Sequence, residues 1–190
     1  MILTALACIL TVGEHATHDL TVTGPQGWTF DARLVEPAGN RSGLTVLLIG
    51  GGFCNDLDWT VPGSIDVNGM ATPLTLDGTT HRDAPMIAQA LADKGHAVMH
   101  YSTIAHEDPK RDLWPLEITP LALTDLLLLQ RAATQAIQAD PLTHDDRIVL
   151  LGHSMGAQRA CAQAADDPAI IALILMGPAQ MTRTGPDDPG

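Results

Sequence analysis

The residues best suited to chemistry in this chain form one pentapeptide, Gly152-His153-Ser154-Met155-Gly156. A G-x-S-x-G run is a weak pattern alone, because glycine and serine are common, and it gains weight only between a buried strand and a helix. Residues 147–151 (RIVLL) read as that strand, and residues 157–165 as an Ala-rich helix. A serine on so sharp a turn must take a strained backbone conformation to lift its hydroxyl above the sheet edge. Side chains two residues to either side would collide with strand and helix, which accounts for Gly152 and Gly156. The helix start then directs free N–H groups and a positive dipole end toward a developing oxyanion. The chemistry this arrangement serves is attack by the Ser154 hydroxyl on a carbonyl carbon.

A second element is Gly50-Gly51-Gly52-Phe53, at the end of an apolar run. Acyl transfer needs two backbone donors aimed at the tetrahedral oxygen. One is expected from the residue after the nucleophile, Met155, and the other from this earlier loop, at Gly52 or Phe53. Glycines let the backbone approach a substrate without side-chain interference.

The positioning elements follow from hydrophobic pattern. Residues 19–23 and 28–36 are β-rich runs around Gly24-Pro25-Gln26-Gly27, turn chemistry that predicts an antiparallel hairpin. Residues 44–49 (LTVLLI) are continuously apolar, as a strand buried on both faces requires. Residues 53–82 are polar, dotted with Gly and Pro, and read as one extended loop. Asp83 is expected to cap a helix with Pro85 in its first turn and Met86, Ile87, Ala90 and Leu91 on one face, closed by Lys94-Gly95. Residues 96–101 (HAVMHY) predict a short strand, and 102–117 an irregular stretch. Thr119-Pro120 opens a long helix to about Ala139, with Leu123, Leu126, Leu127, Ala133 and Ile137 near one face. Residues 170–176 (IIALILM) read as a last buried strand. Hairpin followed by alternating strands and helices predicts an α/β fold: a mostly parallel sheet with helices on both faces and an N-terminal antiparallel hairpin.

Composition narrows the functional classes. A length of 190 residues fits one domain with a real core, and 45% hydrophobic with 17% charged residues is a globular composition. A net charge of −12 argues against nucleic acid or an anionic membrane as partner. No apolar run is long enough to span a bilayer. Cys8, Cys54 and Cys161 show neither disulfide nor zinc-ligand spacing. The pairs His15/His18 and His96/His100 lack an acidic or Cys partner at ligand spacing, so no metal and no cofactor is expected. Residues 1–12 (MILTALACILTV) are almost wholly apolar and resemble the core of a secretory signal, although no Lys or Arg precedes Arg33. Residues 1–13 are therefore read as a signal segment, with export expected and a cytoplasmic location the alternative.

Residues 44–178 resemble the N-terminal two-thirds of an α/β-hydrolase of the serine esterase and serine aminopeptidase-like type. LTVLLIGGGFCNDLDW is similar to that family's strand and glycine-rich oxyanion loop, and DRIVLLGHSMGA to its nucleophile elbow. One departure is Ser102-Thr103-Ile104-Ala105, where relatives often carry an Asp-x-Arg-Gly-like turn. The resemblance implies a serine hydrolase acting on a small-molecule ester or amide, with triad order nucleophile, acid, histidine. No histidine follows His153. Residues 14–190 are thus expected to be an α/β-hydrolase domain lacking the C-terminal strands that carry acid and histidine. Asp187 and Asp188 occupy the place where a few relatives set their acid. His153 is expected to pack beside the elbow, and His100 and His106, on the active-site side, to be ordinary rim or loop histidines. The alternatives are a truncated or non-catalytic protein of this fold, or a peptidase or acyltransferase.

Overall fold

The computed structural model describes residues 14–52, 55–67, 69–108, 121–143 and 147–177. Strands β1 (Ala16–Thr23) and β2 (Thr29–Glu36) form the hairpin, joined by a 3₁₀ turn at Pro25–Gly27. Then follow β3 (Thr45–Ile49), the short strands β4 (Thr60–Val61), β5 (Ser64–Val67), β6 (Met70–Pro73) and β7 (His81–Arg82), and helix α1 (Asp83–Ala92). Strand β8 (Ala97–Ala105), helix α2 (Leu123–Ala139), β9 (Ile148–His153), helix α3 (Met155–Ala164) and β10 (Ile170–Met176) complete the order.

Six strands form one sheet in the order β1-β2-β8-β3-β9-β10. The β1–β2 and β2–β8 ladders are antiparallel; β8–β3, β3–β9 and β9–β10 are parallel. The central strands are continuously apolar because alternate residues feed two cores. Val46, Leu48, Val149 and Leu151 pack on one face with Ala84, Ala88 and Ala92 of α1. Leu47, Ile49, Ile148 and Leu150 pack on the other, with Leu129, Ala133 and Ile137 of α2 and Ala160 of α3. Helices therefore cover both faces, as the alternation of elements predicts.

Four local expectations are corrected. Residues 53–82 are not one structureless loop: β4 pairs β7 and β5 pairs β6, two small antiparallel ribbons of too few residues to leave a periodic signal. Asp83 is the first helical residue of α1 rather than its cap; Arg82 occupies the cap position and bonds no N–H through its side chain. The buried stripe of α1 is alanine, and Met86 is 60% exposed, because the small residues let the helix lie close to the sheet. Strand β8 continues through Ala105, every residue of it buried, instead of ending at Tyr101.

Strand β10 departs most from expectation. Its residues are IIALILM, yet Ile171 through Met176 are exposed. It is the outer strand of the sheet, hydrogen-bonded to β9 on one side only. An apolar edge strand of seven residues, six of them exposed among the described residues, is a template for pairing with another chain. The 190-residue chain is accordingly expected to self-associate, and Leu173→Lys with Leu175→Lys to shift its elution toward the monomer in size-exclusion chromatography. A wild-type chain eluting as a sharp monomer at micromolar concentration would contradict this.

Candidate active site

Ser154 stands between the last residue of β9 and the first of α3, with φ 54° and ψ −121°. Few non-glycine residues adopt such angles, and holding one there costs on the order of 1–3 kcal/mol. Strand and helix on either side over-determine the turn. The Ser154 N–H donates to the Met176 carbonyl at 2.9 Å, and the Ser154 carbonyl accepts from Ala157 N at 3.1 Å. Met155 opens α3, so its N–H has no partner within the helix.

The flanking glycines are required by contact. A Cβ on Gly152 would lie 2.5 Å from the Gly156 carbonyl oxygen and 2.6 Å from Ala157 Cα. One on Gly156 would lie 2.3 Å from the Ile49 carbonyl oxygen and 2.6 Å from that of Gly50. Neither obstacle is a flexible side chain. Helix α3 thus begins directly against the end of β3, which places the glycine loop beside the serine. A Cβ on Gly51 would stand 2.8 Å from Ser154 Cβ. Gly52 follows with φ +71° and open space around it. Phe53, the other donor named from the sequence, lies outside the described residues.

The glycine loop is held from two sides. Arg159 Nη2, on α3, donates to the Gly50 carbonyl. Asn55 Nδ2 donates to the Gly51 carbonyl at 2.5 Å. The main chain of Asn55 is tied to β8: its N–H donates to Thr103 Oγ1 at 2.6 Å, and its carbonyl accepts from Thr103 N at 2.8 Å and Ser102 Oγ at 3.1 Å. These are the residues at which the chain departs from the Asp-x-Arg-Gly-like turn. The sequence carries no pattern that assigns a role to Arg159; the available signals are the position of Asn55 three residues beyond the glycines and the departure at Ser102-Thr103.

A cavity of about 270 Å³ opens beside the elbow, lined by Trp59, Asp83, Met86, Ile87, His153 and Met176. His153 is exposed on its rim, with its ring turned toward Gly51. The structure brings no other described histidine to Ser154 by a contact. His106 pairs with Asp31 at 2.7 Å, and His81 with Asp77 at 3.0 Å. His15 and His18 pair with Asp93 and Glu36, and His96 Nδ1 meets Ser42 Oγ at 2.7 Å. Among the described residues no cluster of His, Cys, Asp or Glu is disposed to hold a metal, and no helix is long and apolar enough to cross a membrane. Cys161 is a free, exposed thiol.

His100 is not the rim histidine expected of it but is fully buried, its Nδ1–H donating to the Leu57 carbonyl at 2.8 Å. Burial pushes its pKa below the ordinary imidazole value, assisted by Arg33 and opposed by the Leu57 bond and by Asp58 and Asp19.

Solved structures share this fold, although no family model and no curated protein matches the chain. An esterase from Pyrococcus furiosus superposes with a TM-score of 0.58 and 14% identity, over 86% of this chain and 50% of its own. A dienelactone hydrolase from Anabaena variabilis gives 0.57 and 18%, over 86% of this chain and 63% of its own. The α/β hydrolase GrgF from Penicillium gives 0.56 and 19%, over 86% and 46%. The chain has the α/β-hydrolase fold. It spans 46–63% of the length of these structures. In this α/β-hydrolase fold the serine of the G-x-S-x-G run stands at the strand-to-helix elbow and the glycine loop lies against it.

Two outcomes follow from these contacts. Gly156→Ala is expected to destabilise the fold by about 1–3 kcal/mol, the range for inserting a methyl group into a packed site, as read by urea denaturation. A loss within 0.5 kcal/mol, the usual spread of neutral surface changes, would mean the elbow tolerates the extra carbon. For His100 the unfolded chain binds the proton more tightly than the folded one. The stability contributed by the neutral ring is therefore present above about pH 6.5 and is lost as pH falls toward the folded-state value. Stability should decline from pH 7 to 5, and His100→Asn should flatten that slope; an equal slope in the variant would remove His100 as its source.

Proposed function

We propose that Ser154 is the nucleophile of a serine hydrolase, acting on carboxylic esters of small molecules. The observation that carries this reading is the backbone of Ser154, held at φ 54° and ψ −121° on the elbow with Gly51 in contact beside it. A strained serine at that position serves no evident packing purpose, since its side chain is only partly buried. An esterase and a dienelactone hydrolase share this architecture, which is in keeping with a carbonyl substrate.

In this reading Ser154 Oγ adds to the ester carbonyl carbon while its proton passes to a histidine base. The carbonyl pair moves onto oxygen, where the N–H of Met155 and that of Gly52 or Phe53 receive the charge. Collapse expels the alcohol, which takes the proton back from the histidine. Water then repeats the sequence, releasing the acid and restoring Ser154. No described histidine other than His153 is in contact with Ser154: the ring of His100 is buried against Leu57, and His106 and His81 pair with Asp31 and Asp77. Residues 59–87 supply Trp59, Met86 and Ile87 to the cavity beside the elbow, giving the substrate an apolar wall.

That no described histidine is seated as base on Ser154 supports a second reading, a non-catalytic protein of the same fold. Fluorophosphonate labelling separates the two. In the product of the whole reading frame, labelling is expected at Ser154 and is abolished in Ser154→Ala, together with hydrolysis of p-nitrophenyl esters. Absence of labelling there would sink the nucleophile and leave the non-catalytic reading. Loss of one oxyanion donor is expected to lower turnover by about 10²–10³-fold.

A further inference from the structure

We propose that Asn55 and Arg159 are positioning residues that set the direction of the Gly50–Gly51 and Gly51–Gly52 peptides beside Ser154, with Gly52 N–H as the loop's oxyanion donor. The proposal rests on the reading of Ser154 given above and deepens it by choosing the donor and naming what aims it.

Peptide planarity carries the inference. In a trans peptide the carbonyl of one residue and the N–H of the next point in opposite directions, so holding the oxygen aims the hydrogen. Arg159 Nη2 holds the Gly50 oxygen, which fixes the Gly51 N–H. Asn55 Nδ2 holds the Gly51 oxygen, which turns the Gly52 N–H away from Asn55. Three consecutive glycines have wide conformational freedom, and without such restraints the loop would sample many orientations of both peptides. A donor stabilises developing charge most effectively when it needs no reorganisation at the moment of reaction.

Each clamp is itself fixed. Asn55 is tied to Ser102 and Thr103 through its main-chain N–H and carbonyl, leaving its side-chain amide free to reach Gly51. Arg159 is 2% exposed and lies on α3, the helix that begins with Met155. Both proposed donors are thereby referenced to one helix: Met155 directly, the loop through Arg159. The bond from Arg159 Nη2 to the Gly50 carbonyl places the guanidinium's positive charge against the glycine loop, of the sign that favours an oxyanion near it.

The variants are Asn55→Ala and the isosteric Asn55→Asp, made in the protein of the whole reading frame. The main-chain ties of Asn55 to β8 survive both changes, so the loop's anchorage is retained. Crystal structures should show the Gly51–Gly52 peptide rotated from its wild-type orientation. For a p-nitrophenyl ester, kcat should fall about 10–100-fold with KM within twofold. Affinity for a trifluoromethyl ketone, which forms a tetrahedral adduct on the serine, should fall in the same proportion. Arg159→Lys, which keeps a donor toward Gly50, should retain more activity than Arg159→Met. An unrotated peptide in both Asn55 variants overturns the clamp. A rotated peptide with unchanged kcat and inhibitor affinity overturns the assignment of Gly52 as donor. If wild-type turnover does not depend on Ser154, the nucleophile reading fails and the donor assignment with it, while peptide rotation alone still decides whether Asn55 is a clamp.

Discussion

The site depends on one close approach, that of helix α3 to the end of strand β3. Gly156 lies against the carbonyl oxygens of Ile49 and Gly50, so near that a methyl group would stand 2.3 Å from the first of them. Gly152 meets the first turn of the same helix equally closely. With these contacts made, the chain between β9 and α3 has no room for a relaxed turn, and Ser154 takes up the strain. The glycine loop following β3 is brought beside the serine by the same packing.

The sheet sets the frame for this approach. β3 lies between β8 and β9, and both of those ladders are parallel. The C-terminal ends of the three strands therefore meet at one edge, and each contributes there: the glycine loop after β3, Ser102 and Thr103 on β8, the elbow after β9. Ser102 and Thr103 are buried polar residues at the end of a strand otherwise rich in apolar side chains, and their hydroxyls are used on Asn55. Buried hydroxyls are costly unless bonded, so their bonds to the main chain of Asn55 both satisfy them and locate the loop. On the opposite side the Arg159 guanidinium reaches the Gly50 carbonyl from within the core. Strand β8 and helix α3 thus hold one loop between them.

The outer side of the sheet has a different character. β10 bonds β9 and supplies the Met176 carbonyl to Ser154, so it takes part in the elbow while its own side chains stay exposed. Its composition suits a strand buried on both faces, yet among the described residues Ile171 through Met176 remain exposed.

Much of the fold was legible in the residues. The runs at 44–49 and 147–151 identified two central strands, the Gly-Pro-Gln-Gly turn identified the hairpin, and the G-x-S-x-G run between strand and helix identified the elbow. Each is a local pattern, and local patterns survive whatever the rest of the chain does. The ribbons within 53–82 were hidden because strands of two to four residues are shorter than any period that could reveal them. The burial of α1 was misjudged because alanine packs close to a sheet without a strong hydrophobic signature. Asn55 and Arg159 could not be read as partners of one loop: they stand 104 positions apart and meet only because β3 lies between the chain's two cores. Sequence by itself determined the strands, the turn chemistry and the serine's place on its elbow, since these follow from hydrophobic period and glycine spacing. Only the tertiary structure decided which groups orient the glycine loop and which apolar strand stays exposed, because hydrogen-bond direction and burial depend on neighbours that lie far away along the chain.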